Sequence, residues 1–215
     1  MKPKLPIHFV CGALFGIAAN VSAQNLESQS ILVNGSFETY GGSGNSNIGA
    51  GLTGWTIGNA GGIDIVFSTG IVPYYWKAAD GNVSLSLAYF GPDSVTQTVT
   101  TTPGKSYQLT FSMAAEIYGG PATRTMNVLW NNSVVSSPSF QYTGQGPEYM
   151  GWTEFSLNVV GTGTDTLRFL ATSAGPYGPT LDNVSLVLVP EPAAAGLIVI
   201  GLVSLGLSKR RLLKS

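Results

Sequence analysis

Residues 107–113 read Tyr107-Gln108-Leu109-Thr110-Phe111-Ser112-Met113, with large apolar side chains at odd positions and polar ones between. An extended backbone sends successive side chains to opposite faces, so this stretch predicts a strand with one buried face. The same period continues outward in both directions. Val83, Leu85, Leu87 and Tyr89 alternate with Ser84, Ser86 and Ala88, which predicts a half-buried strand. Ile63, Ile65 and Phe67 repeat the pattern, as do Met126, Val128 and Trp130; Phe155, Leu157 and Val159; Leu167, Phe169 and Ala171; and Val184, Leu186 and Leu188. Asp80-Gly81-Asn82, Gly91-Pro92-Asp93, Pro103-Gly104-Lys105 and Gly161-Thr162-Gly163 punctuate these runs as turns. No segment between them carries a helical stripe. Short strands with Gly/Pro punctuation predict an all-β domain, a two-sheet sandwich of jelly-roll type.

The ends of the chain differ from this middle. Lys2 and Lys4 precede a mostly apolar run from Phe9 to Ala19, and Val21-Ser22-Ala23 offers a small-x-small cleavage pattern. That is a secretory signal peptide over residues 1–23, cut between Ala23 and Gln24. The run is short of the roughly 20 residues a spanning helix needs, which argues against a permanent anchor. At the other end an apolar run from Ala193 to Leu207 leads into Lys209, Arg210, Arg211 and Lys214. Nothing polar marks one face of that run, so it predicts a single membrane helix rather than a buried helix of the domain. The basic cluster then lies on the cytoplasmic side.

Cleavage removes chemistry as well as residues. The chain has one Cys and one His, and these are Cys11 and His8. A mature chain starting at Gln24 forms no disulfide, holds no Cys- or His-ligated zinc, and supports no Ser-His-Asp or Cys-His catalysis. Between Gln24 and Pro192, four basic residues stand against eleven acidic ones, a net charge of −7 against −1 for the whole chain. Such a surface disfavours nucleic acid and suits neutral ligands or divalent cations. The division expected is a signal peptide at 1–23, one sandwich at 24–189 and a tail at 190–215.

The tail resembles a known sorting signal. Pro190-Glu191-Pro192, a short apolar helix and a terminal Arg-rich cluster, in that order, are similar to the PEP-CTERM signal of Gram-negative bacteria. The resemblance implies an exosortase-type processing enzyme as partner, cutting near Pro190, Glu191 and Pro192, and passage through the inner membrane. Cargo of that family is commonly tied to exopolysaccharide or biofilm, which implies a cell-surface or extracellular-matrix destination. The tail is an address and does not define an activity.

A second resemblance covers nearly all of the exported domain. Asn34-Gly35-Ser36-Phe37-Glu38, Gly54-Trp55, Ile63-Asp64, Ala79-Asp80-Gly81-Asn82, Gln97-Thr98-Val99, Thr102-Pro103-Gly104, Gly151-Trp152-Thr153 and Gly178-Pro179-Thr180-Leu181-Asp182-Asn183-Val184 occur in order. This set resembles the DUF642 or choice-of-anchor C domain, which is similar to galactose-binding-like jelly rolls and carbohydrate-binding modules. The resemblance implies a structural calcium near Glu38 and Asp182. Calcium takes several oxygen ligands and needs neither His nor Cys. The alternative is that both carboxylates accept hydrogen bonds from turn amides.

Aromatic residues are the other candidates. Tyr74-Tyr75-Trp76 follows Pro73 between two strands, and three consecutive rings cannot all face a core. Sugar rings present apolar C–H faces that stack on aromatic rings, so Tyr74, Tyr75 and Trp76 form the candidate ligand platform. Tyr118, Tyr149 and Tyr177 in loop-like segments could extend it, while Trp55, Trp130 and Trp152 read as core or edge packing. A glycosidase would need a positioned carboxylate pair. Asp80, Glu116, Glu148 and Glu154 are available, but no spacing sets two of them together, and the reading is non-catalytic. The expected function is an exported module that associates with exopolysaccharide. The competing reading is a purely structural surface or matrix protein without a discrete ligand.

Overall fold

The period-two runs become strands of two stacked antiparallel sheets in a computed structural model that describes residues 29–41, 51–58, 60–68 and 76–190. The signal peptide with Ala23 and Gln24, Tyr74, Tyr75, Glu191, Pro192 and the apolar tail lie outside the described residues. Among the described residues no helix is long and apolar enough to cross a membrane.

In chain order the strands are β1 (Thr56–Ile57), β2 (Asp64–Phe67), β3 (Val83–Ser86), β4 (Ser94–Thr100), β5 (Ser106–Ala115), β6 (Thr123–Trp130), β7 (Ser133–Ser136), β8 (Ser139–Gln141), β9 (Thr153–Val160), β10 (Thr164–Ala171) and β11 (Pro179–Leu188). One sheet runs β1-β4-β10-β6-β7, with β8 also on β6; the other runs β2-β3-β11-β5-β9. The order is a jelly-roll-like sandwich, since strands distant in sequence lie side by side. Asn131 and Asn132 both have positive φ at the tip of the β6–β7 hairpin, the conformation a two-residue turn demands.

Phe111 in β5 lies at the centre of the core. It stacks on Phe155 at 5.4 Å and meets Phe169 edge-on at 5.1 Å, which ties β9, β5 and the facing strand β10 together. Trp55 extends the cluster to Phe37 and Phe169. Each such ring pair adds about 0.5–1.5 kcal/mol beyond area burial.

The N-terminal segment closes the sandwich without being a strand. Gln97 is buried in β4 and its side-chain amide both donates to Val33 O and accepts from Val33 N, at 2.8 Å each. A bulge between Asp182 and Ser185 frees the Val184 N–H for Gly35 O. Gly35 passes so close that a Cβ there would sit 1.9 Å from Val184 O. Gly35→Ala is therefore expected to cost about 2–3 kcal/mol, read as a melting temperature lower by roughly 5–10 °C. An unchanged melting curve would show that this crossing yields easily.

One expectation fails here. Ser84 and Ser86 were predicted to face solvent, yet β3 is buried on both faces. Residues 76–82 cross the outer side of the second sheet, and Trp76 Nε1–H donates to Ser84 Oγ at 3.0 Å. Ser86 Oγ–H donates to Glu116 Oε2 at 2.7 Å. The outer face is thus polar and covered, a combination that alternation of hydropathy does not reveal.

Candidate functional site

Register places a polar row across the outer side of the second sheet. Asp64 pairs with Ser86 and Ser86 with Thr180; one step further, Ser112 pairs with Asp182 and Glu154. Glu116 follows β5 two residues after Ala114, on the same side. Its carboxyl is pushed up to about 7, chiefly by burial, with the Ser86 hydrogen bond opposing and nearby Asp64 adding to the rise. Arg124 is buried beside it, and its Nη2 donates to the carbonyls of Glu116 and Gly119.

Glu38 and Asp182, the residues expected around calcium, both converge on the turn at 79–83. Glu38 Oε1 accepts the N–H groups of Asn82 and Val83, each at 2.8 Å. Asp182 Oδ2 accepts those of Ala79 and Asp80 at 2.8 and 3.0 Å, and its Oδ1 accepts Asn183 N–H. Burial pushes the Asp182 carboxyl up to about 7, with a contribution from Asp80, and the three amides only partly offset this. Among the described residues no group of three or more His, Cys, Asp or Glu side chains is arranged to hold a metal. The pair forms a hydrogen-bonded clasp that joins Glu38 and Asp182 to one turn.

Trp76 is corrected too. It is 2 % exposed, so its ring belongs to the core and offers no face to a ligand. The parity argument at Tyr74-Tyr75-Trp76 required that not all three rings be buried, and Trp76 is buried. Tyr74 and Tyr75 lie outside the described residues.

An open cleft of about 230 Å³ lies next to Trp76, lined by Lys77, Ala78 and residues 148–152. Its frame is rigid. Gly146 and Tyr149 exchange both main-chain hydrogen bonds around Pro147-Glu148, and Pro147 O accepts Lys77 N–H at 2.8 Å. Trp152 Nε1–H donates to Lys77 O at 2.9 Å, closing the ring of contacts between segments 75 residues apart. Tyr149 stands at the tip, 75 % exposed, beside half-buried Trp152. Tyr118, 44 % exposed, lies 6.4 Å from the Trp76 ring and does not line the cleft. Exposed Lys77 and Glu148 add donors and an acceptor of opposite charge. Apolar ring faces with a few convergent polar groups suit a small polar molecule with an apolar side. Glu116 and Asp182, the acids with raised pKa, do not line this cleft.

Sequence reasoning had marked Tyr149 and Tyr118 as loop aromatics but had placed Trp152 with the packing residues. Lys77 carried no signal, because its place at the cleft depends on the long-range bonds to Pro147 and Trp152.

A family model described as "Protein of unknown function (DUF642)" matches residues 30–187. No curated protein matches the chain. Similar solved structures include TmCBM61 in complex with beta-1,4-galactotriose, at 17% identity over 75% of this chain and 100% of that one, with a TM-score of 0.49. A family 16 carbohydrate binding module is 16% identical over 73% of this chain and 99% of that one, with a TM-score of 0.48. A family 35 carbohydrate binding module from Clostridium thermocellum is 20% identical over 61% of this chain and 90% of its own length, with a TM-score of 0.43.

Proposed function

The chain belongs to the DUF642 family, matched over residues 30–187, and from that premise we propose that it is a non-catalytic exported module that holds a neutral polysaccharide at the Tyr149–Trp152 cleft. The observation that carries this reading is Tyr149. A tyrosine ring 75 % exposed on a doubly bonded turn, lining one cleft with a second aromatic and a Lys/Glu pair, offers a stacking face. Stacking uses the C–H face of the sugar, while Lys77 and Glu148 orient hydroxyls without imposing a net charge.

Delivery is proposed from the tail. The Pro190-Glu191-Pro192 motif, the apolar run and the basic end are similar to a PEP-CTERM signal. On that basis the chain is held in the inner membrane, processed by an exosortase-type enzyme and released to the surface or matrix of a Gram-negative cell. The choice-of-anchor C assignment belongs to the same proposal.

The test is a polysaccharide array probed with the purified chain and with Tyr149→Ala. Saturable binding that weakens about tenfold in the variant, the loss of roughly 1.4 kcal/mol, is expected. Because Tyr149 is exposed, its melting temperature should not move. Failure of the folded protein to bind any glycan would transfer the assignment to a structural matrix protein.

A further inference from the structure

β9 ends the second sheet, and the other edges are managed differently. At the opposite end of that sheet β2 has four residues; in the first sheet β1 has two, and β7 has four with a register shift. Short or irregular edges give little purchase to another strand. β9 has eight residues in unbroken register with β5, and it contains no Pro, Lys or Arg.

Its free hydrogen-bonding groups can be assigned. Gly161 bonds to Gly104 and Lys105 across the end of β5, while Ser106 O, opposite Val160, accepts Val189 N–H from β11. Alternation then turns the main-chain groups of Glu154, Ser156, Asn158 and Val160 away from β5. Val160 O is capped by Trp130 Nε1–H at 2.9 Å. Among the described residues no hydrogen bond reaches the main chain of Glu154, Ser156 or Asn158 on that edge. On the core side Phe155 and Leu157 pack against the core yet are only half-buried.

We propose that this edge pairs antiparallel with β9 of a second copy, about a two-fold axis through Ser156. The pattern fits itself. With Ser156 opposite Ser156 of the other copy, Phe155 meets Leu157 twice in the close, non-hydrogen-bonded positions and both become covered. Glu154, the one charged residue of β9, falls opposite Asn158, and the two Glu154 carboxylates stand about 13 Å apart, beyond the Debye length at physiological salt. Val160 and its Trp130 cap stay outside the paired region. An open strand edge is a template for another strand, and this one is self-complementary in shape, polarity and charge. The inference is independent of what the Tyr149 cleft binds.

Charge and cross-linking read out the register. In the full-length chain carrying Cys11→Ser, Ser156→Cys should oxidise to a disulfide-linked dimer, since opposed Cα atoms lie about 5.5 Å apart. Ser133→Cys, exposed on β7, should not. Asn158→Lys, facing Glu154 of the other copy, should tighten dimerisation several-fold in light scattering, and Asn158→Asp should weaken it by a similar factor. Both are exposed changes and should leave the melting temperature within about 2 °C. A wild-type chain monomeric at 100-fold dilutions up to about 0.1 mM, or equal cross-linking at 133 and 156, overturns the proposal.

Discussion

Replacing Asp165 with alanine is expected to cost about 3–5 kcal/mol, a large effect for one side chain. Asp165 is fully buried where three connections meet at one end of the sandwich. Its Oδ1 accepts Asn131 Nδ2–H at 2.5 Å and Thr162 Oγ1–H at 2.6 Å. Its Oδ2 accepts Thr162 N–H at 2.9 Å and the Thr101 hydroxyl. Burial alone would raise this carboxyl, yet these hydrogen bonds outweigh burial and hold it well below the usual carboxylate range. Alanine leaves four donors facing a void, so the β4–β5, β6–β7 and β9–β10 connections loosen together. Chemical denaturation should show the loss in the midpoint, with Asp165→Asn retaining part of the stability. A loss under 1 kcal/mol would mean that water replaces the carboxylate without strain.

The second large effect is a dependence on pH of unusual sign. Glu116 and Asp182 are both pushed up to about 7, from 4.5 and 3.8. The folded state then keeps protons that the unfolded chain releases between about pH 4 and 7. Stability therefore falls as pH rises through that window and levels off above it. Asp165 works in the opposite sense. Its depressed carboxyl contributes stability above its unfolded value of 3.8, and that contribution is lost only in stronger acid. The windows do not overlap, so a maximum near pH 4–5 is expected. Between pH 5 and 8 the domain should lose on the order of 3 kcal/mol, seen as a melting temperature lower by about 10 °C. Glu116→Gln should flatten about half of the slope and Asp182→Asn the rest. A melting temperature that rises from pH 5 to 8 would sink this account. A rise that appears only with added calcium would show an ion displacing the amides around Asp182.

Strands β5, β6, β10 and β11 were legible because their inward residues are apolar without interruption: Leu109, Phe111 and Met113; Met126 and Val128; Leu167 and Phe169. β4 was not read as a strand. Its inward positions are Val95, Gln97 and Val99, and the middle one looks solvent-facing until Val33 is seen to saturate its amide. The same blindness hid the covered face of β3, where Ser84 and Ser86 are buried only because Trp76 and Glu116 reach them from elsewhere. Sequence marks what a residue prefers and is silent about a partner tens of residues away.

The site divides along the same line. Loop aromatics announced themselves through position, and Tyr149 and Tyr118 are exposed as expected. Which of Tyr74, Tyr75 and Trp76 turned inward could not be read from the triplet. Glu38 and Asp182 were correctly singled out as a pair, since both do meet at one turn. The partners seen for them are the main-chain amides of that turn.

The place of β11 has a mechanical consequence. It is the last strand among the described residues yet lies in the middle of its sheet, antiparallel to β3 on one side and to β5 on the other. A tether attached beyond Pro190 would apply tension along β11 from its C-terminal end. The Leu109–Leu186 and Met113–Leu181 neighbours would then have to slide past each other, and their ladder hydrogen bonds would share the load instead of opening one at a time. The Val184–Gly35 bond adds a further attachment on the same strand. The domain would resist extraction by any tether pulling from that end, and under such a load its survival would be set by an unfolding rate rather than by its equilibrium stability.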